Sequence, residues 1–303
     1  MSKTSPVANP MAEPRSRVAH TAAVCDGIVY FFGGITEDQH EPPPTNVECF
    51  DIRAGRWTRR SALPTHRNFA AAAELGGMIY LVGGLDAEAV AMGLVERYDP
   101  AADTWTTVAP LAVPRSRLAV AVLNGRLYAV GGLEGAERVR CADSRVIEAY
   151  DPATNTWMRL PDMPTARHAL AAVGHKGRLY ALGGYTIQGS GQTTTVESFD
   201  PVPGVWSAAP SMRSARGFFA AFSLGDDLLA IGNLKAPVAP ERLTLPATGA
   251  RAPSVWLACA APDLRRFRFA AILYEGSVFA FGGEGEATPY TRIYDPAQDR
   301  WLR

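Results

Sequence analysis

Arginine recurs in this chain at 17, 67, 117, 167, 216 and 266, at intervals of 50, 50, 50, 49 and 50 residues. A guanidinium group is always charged and presents a planar fork of donors, which suits carboxylate, phosphate and sulfate. Arginines that a fold gathers in one cleft would raise its positive potential and make an anion trap. The residues that follow them differ: Val18, Asn68, Leu118, His168, Gly217 and Phe267. His168 can move a proton near neutral pH, and Tyr185 or Glu284 could do so where burial shifts its pKa.

Other chemistries find little support. Cys25, Cys49, Cys141 and Cys259 include no CxxC pair, so neither a zinc site nor a dense disulfide framework is expected. The run Glu37-Asp-Gln-His-Glu41 carries metal-capable groups, but consecutive residues on a proline-rich loop do not converge well on one ion. Gly189-Ser-Gly191 lacks the Lys-Ser/Thr of a phosphate-cradling loop. No nucleophile motif and no pair of catalytic carboxylates stands out. No cofactor and no metal is therefore expected. Lys+Arg and Asp+Glu both number 30, so the charge is balanced and no nucleic-acid partner is expected. Residues 1–10 contain no apolar core of a signal peptide, and no apolar run reaches membrane-span length. The expectation is a cytoplasmic protein with no membrane partner.

The elements that must position these groups are themselves repeated. Gly-Gly occurs at 33–34, 83–84, 131–132, 183–184 and 282–283, with Gly232-Asn233 where another pair would fall. Tryptophan follows at 57, 105, 157, 206, 256 and 301. Between them lie Phe50-Asp51, Tyr98-Asp99-Pro100, Tyr150-Asp151-Pro152, Phe199-Asp200-Pro201 and Tyr294-Asp295-Pro296. Each Gly-Gly ends an apolar run such as Ile28–Phe32 or Leu127–Val130, which reads as a strand covered on both faces. Asp26-Gly27, Asn124-Gly125, Lys176-Gly177 and Glu275-Gly276 precede such runs and read as hairpin turns. The strands before those turns are rich in alanine, which suits a crowded axis.

This ordered set resembles the Kelch repeat from about residue 14 to the end. The resemblance implies an all-β, six-bladed β-propeller of four-stranded antiparallel blades, with a degenerate fifth repeat. Residues 1–13 are read as a tail and 14–303 as one propeller domain. In repeat five, Leu243-Thr-Leu-Pro246 replaces the aromatic-Asp-Pro element. Residues 10–17 match 110–117 at six of eight positions, so the tail either docks beside Trp301 and completes the ring or frays.

By the same resemblance, the mouth of the ring is where a ligand would bind. It would be formed by the recurring arginines, their successors, and the residues after Gly-Gly: Ile35, Leu85, Leu133, Tyr185, Leu234 and Glu284. The expected ligand contacts are Arg17, Arg67, Asn68, Arg117, Leu118, Arg167, Arg216, Arg266 and Phe267. Two functions compete. The first is a binding module for an acidic peptide or protein, or for a small anionic metabolite. The second is a cofactor-independent enzyme, a sugar-acid epimerase or mutarotase, or a cyclase or lyase on an apolar anionic metabolite. There His168, Tyr185 or Glu284 would move the proton. A structural alternative for the arginines also stands, in which each one bonds carbonyls within the ring.

Overall fold

The structure is a computed structural model; it describes residues 17–36, 45, 47–136, 140–187, 189, 191–233, 238–245, 254–260, 266–267, 270–281, 284–285 and 291–302. The chain forms six four-stranded antiparallel sheets arranged as the blades of a propeller. In each blade the strands pair in chain order, from an inner first strand to an outer fourth; blade two runs Ala71–Leu75, Met78–Val82, Val95–Asp99, Thr104–Val108. The second strands, such as Val29–Phe32 and Leu127–Val130, are buried along nearly their whole length, because a neighbouring blade covers each face. First strands surround the axis, where alanines at 22, 23, 70–73, 119, 171, 172, 220, 221 and 271 line an axial channel of about 450 Å³. Small side chains leave that channel open.

The predicted hairpins form, with both turn residues at positive φ: Asp26 at 49° and Gly27 at 77°, Asn124 at 50° and Gly125 at 72°. That geometry matches the twist of the flanking strands. The double glycines answer to a close approach. A Cβ on Gly83 would lie 2.4 Å from the Arg115 carbonyl oxygen, and Gly83 sits at φ +64°. No other residue fits there without displacing backbone.

Blades are joined edge to edge by a repeated clasp. The indole nitrogens of Trp157, Trp206 and Trp256 donate to the carbonyls of Ala109, Pro161 and Pro210, at the end of the preceding blade's outer strand, at 2.8, 3.0 and 2.7 Å. A second link uses the tyrosine of the aromatic-Asp element. The Tyr98 hydroxyl donates to Asp103, which also accepts from the Ser61 amide of blade one, at 2.5 and 2.9 Å. Tyr150 with Asn155 and Tyr294 with Asp299 repeat it. Where the ring is Phe50 or Phe199, the turn residue is Gly55 or Gly204 instead. Hydroxyl and acceptor occur together, as a buried donor requires.

Blade five keeps four strands despite its weak sequence, with Glu241–Thr244 as its third strand. Leu243 pairs with Leu228 in the register that Phe199 has with Leu179, so it takes the aromatic position. All four strands of blade six come from its own repeat, ending at Arg300–Leu302. It meets blade one through Phe281, whose ring lies 5.1 Å from Phe31 and 6.3 Å from Trp57 between centroids. The expected docking of the tail beside Trp301 lies outside the described residues.

Candidate functional site at the propeller mouth

Just before each first strand the chain makes a sharp turn at the mouth, and the turn residue adopts a left-handed conformation. Ala19, Phe69, Arg117, Ala169 and Phe218 have φ of 58, 53, 50, 51 and 52°. Their backbones form a belt around the axis. The amides of Phe69, Arg117, Ala169 and Phe218 donate to the carbonyls of Ala19, Phe69, Arg117 and Ala169, at 2.7–3.0 Å. Left-handed backbone is costly for residues other than glycine, and the hydrogen bonds between successive blades hold it in place. The belt residues line a mouth cavity of about 210 Å³ above the channel. Arg117 is the charged member among them. Its guanidinium carbon lies 4.5 Å from the centre of the Phe69 ring and 5.8 Å from that of Phe218. The two rings flank the half-buried cation.

The other recurrent arginines occupy a different place. Arg67, Arg115, Arg167 and Arg216 are each at most 1% exposed and are paired with Glu96, Glu148, Glu197 and Glu241 of the third strand of their own blade. The last three pairs measure 2.6, 2.7 and 3.0 Å. Each guanidinium also donates to the first glycine carbonyl of its blade: Gly83, Gly131, Gly183 or Gly232. The arginine carbonyls of Arg115, Arg167 and Arg216 in turn accept from Gly84, Gly132 and Gly184 of the preceding blade. Arg115, Arg167 and Arg216 therefore each tie two blades together. The glutamates also anchor the incoming loop, as in Ala112 N–H to Glu148 at 2.7 Å and Thr165 Oγ1 to Glu197 at 2.8 Å.

This corrects the expected ring of arginines in two ways. Arg67, Arg167 and Arg216 do not converge on the mouth; their charge is enclosed with a carboxylate. In the third repeat the member of that set is Arg115, not Arg117, because the loop entering the blade is offset by two residues. The successor position there belongs to Ser116, which bridges to Leu133 as Asn68 bridges to Leu85 and His168 to Tyr185. Leu118 is buried at 6% exposure between blades two and three, and it borders the mouth cavity with its apolar side chain. Asn68 keeps its backbone bridge, and its side-chain oxygen is buried without a partner. The side chains of Arg17, Arg266, Phe267 and Glu284 lie outside the described residues, as do Leu234 and the Glu37–Glu41 loop; the backbone of Phe267 pairs with that of Glu284.

Beside Arg117 the structure brings His168 and Tyr185 together. Their rings stack at 5.6 Å with 19° between planes. The Tyr185 ring reaches over blade five, where a Cβ on Gly217 would fall 2.3 Å from it, so glycine makes that space. The Gln192 side-chain amide donates to the Tyr185 hydroxyl at 2.9 Å and to Asn233 Oδ1 at 2.6 Å. Asn233, the residue that breaks the fifth Gly-Gly, thus supports Tyr185. His168 Nδ1 meets Asp143 at 2.6 Å, and the other Asp143 oxygen accepts from the Ile187 amide. Burial pushes the His168 pKa below its ordinary value, and Arg117 adds to that; Asp143 opposes it. Sequence reasoning missed Asp143. It lies on the extra hairpin Leu133–Ala136 and Arg140–Asp143, which among the described residues only the third repeat carries at this length. That added length was its one legible signal. Among the described residues no group of three or more His, Cys, Asp or Glu is placed to hold a metal.

The KLHDC2/KLHL20/DRC7 Kelch-repeats domain model matches residues 19–233. Similar curated proteins include the Kelch-like protein terF of Aspergillus terreus, 28% identical over 59% of this chain and 40% of its own length. Bovine Kelch-like protein 36 is 25% identical over 57% of this chain and 20% of its own, and spermatocyte protein spe-26 of Caenorhabditis elegans is 29% identical over 59% and 31%. The chain thus spans well under half the length of these relatives. The solved structure of YjhT superposes with a TM-score of 0.76 at 16% identity, covering 95% of this chain and 97% of that one, and so shares the fold. Repeat, blade architecture and family match agree: the chain belongs to the Kelch-repeat β-propeller family.

Proposed function

We propose that this propeller is a binding module whose mouth holds an acidic segment of a partner protein, or an equivalent small anion, on Arg117. The carrying observation is the placement of that guanidinium between Phe69 and Phe218 at the rim of a cavity lined mainly by apolar side chains, with His20 and Thr21 among them. A cation above a cavity walled by alanine, leucine and phenylalanine is screened less than one on open surface, so a carboxylate bound there gains more. Named Kelch proteins among the relatives support a binding scaffold in general, and the cation at the mouth supports an anionic ligand. Fluorescein-labelled hexaglutamate, followed by anisotropy, tests this. Salt-sensitive binding that Arg117→Ala abolishes is the expected result; binding unchanged in that variant would refute the reading.

One observation favours a second reading, a cofactor-independent isomerase or lyase acting on an anionic metabolite. The Asp143 carboxylate fixes the His168 ring through Nδ1, which leaves Nε2 as the nitrogen available for proton transfer. Arg117 would then balance negative charge as it develops. Proton NMR in D2O over a panel of sugar acids would reveal anomer exchange or deuterium uptake. Such activity should vanish in His168→Gln, and its complete absence in the wild type would leave binding alone.

A further inference from the structure

A second concavity opens on the mouth face beside the belt, with a volume of about 580 Å³. One wall is the strand Arg140–Asp143; the other is formed by Thr186, Ile187 and Gly189; Pro164–Ala166 form the base. The strand Arg140–Asp143 pairs only with Leu133–Ala136 among the described residues. The far edge of Leu133–Ala136 is already occupied. Leu133 exchanges backbone hydrogen bonds with Ser116, and the Gly135 carbonyl accepts from Ala91. In an antiparallel ladder, residues whose groups point away from the partner alternate with those that point toward it. The pairs Leu133↔Asp143 and Gly135↔Cys141 are therefore the non-bonded ones. It follows that Cys141 and Asp143 present their N–H and C=O groups outward, on the groove side.

Among the described residues those four groups have no backbone partner, so they form an open strand edge with the spacing that an added strand requires. Arg145 stands at the same groove. Its Nη2 donates to the Pro164 carbonyl at 3.2 Å, which fixes the fork there, and the side chain is exposed. The one carboxylate on the wall, Asp143, already accepts from His168 and Ile187 with its two oxygens. We infer that this groove takes an extended segment of a partner protein, which adds as a strand to Arg140–Asp143 and places an acidic side chain against Arg145. The edge reads the backbone, and Arg145 reads the side chain. This site stands independently of what Arg117 holds.

Random dodecapeptides displayed on phage and selected on the wild-type protein supply the probe, and the best peptide is then measured by anisotropy. Cys141→Pro removes an outward N–H that the hairpin does not use, so the fold should persist while binding falls about tenfold or more. Arg145→Glu should select against acidic peptides, and Arg117→Ala should leave binding intact. N-methylation of alternate peptide residues should abolish binding, and that result decides the matter if Cys141→Pro fails to fold. The inference is overturned if no peptide is enriched, or if binding survives N-methylation. It is also overturned if Arg117→Ala alone removes binding, which places the peptide in the mouth. Dimerisation of the wild type that Cys141→Pro abolishes would make the occupant a second copy of this chain, and would likewise overturn it.

Discussion

Arg115 and Arg117 are two residues apart in one loop, and they do opposite things. Arg115 is fully buried, and its guanidinium donates to Glu148 and to the carbonyls of Val113, Gly131 and Val146. Arg117 rests on two phenylalanine faces at the open mouth. The first is repeated as Arg67, Arg167 and Arg216, whereas its neighbour stands where other blades have Ala19, Phe69, Ala169 and Phe218. In a propeller, what every blade shares holds the blades together, and what one blade has alone is available for recognition. A charge that closes a ring must recur at every junction. A charge that selects a ligand need occur only where the ligand lies.

Breaking the shared side of that comparison should have the largest effect. Arg115→Ala leaves Glu148, 1% exposed in its side chain, without its cation. Removing one partner of such a buried pair costs about 3–5 kcal/mol, so urea denaturation should show a large loss or outright unfolding. A denaturation midpoint within error of the wild type would overturn the clasp role. Next in size, Tyr98→Phe strands the Asp103 carboxylate and should cost about 1 kcal/mol. Combining it with Asp103→Gly recreates the Phe50/Gly55 and Phe199/Gly204 arrangement and should recover part of that loss. A double variant no better than the single one would show that the two residues act separately.

A smaller effect is expected from an irregular buried site. His175, in blade four, bonds Ser223 of blade five at 2.8 Å, and its Nε2 is buried without a partner. Leu75 and Leu123 hold the same strand position in blades two and three. Burial lowers the His175 pKa below its ordinary value, with Lys176 acting the same way. The folded state thus favours the neutral ring. Its contribution is complete above the unfolded pKa near 6.5 and is lost as pH falls toward the lower folded value. The melting temperature should drop on acidification from pH 7 to pH 5, less steeply in His175→Leu; equal slopes would exclude His175 as a source. Smallest of all, Arg117→Ala should change stability by less than about 1 kcal/mol, the scale of a cation–π contact at a half-exposed site. A destabilisation as large as that of Arg115→Ala would erase the distinction.

Much of the architecture was legible in the residues because propeller scaffolding is local. Gly-Gly, Asp-Pro, hairpin dipeptides and tryptophans each answer to a turn or contact that recurs at every junction. Even the degenerate fifth repeat kept its spacing, and Leu243 took the place of an aromatic ring. The site was only partly legible. Counting arginines at even intervals joined Arg117 to a set in which Arg115 belongs, because a two-residue offset in one loop is invisible to periodicity. Asp143 went unseen because its partner, His168, belongs to the next blade.

Residue types and their spacing suffice for the number of blades, the order of strands within each, and the residues that must be glycine. Those follow from φ limits, strand periodicity and repeat spacing, which are properties of short segments. Which arginines are sealed against glutamates, and which one faces the mouth, depends on how the blades pack. That packing also joins Asp143, His168, Tyr185 and Gln192 across neighbouring blades. Burial and inter-blade hydrogen bonds set those outcomes, and both depend on neighbours tens of residues away in the chain.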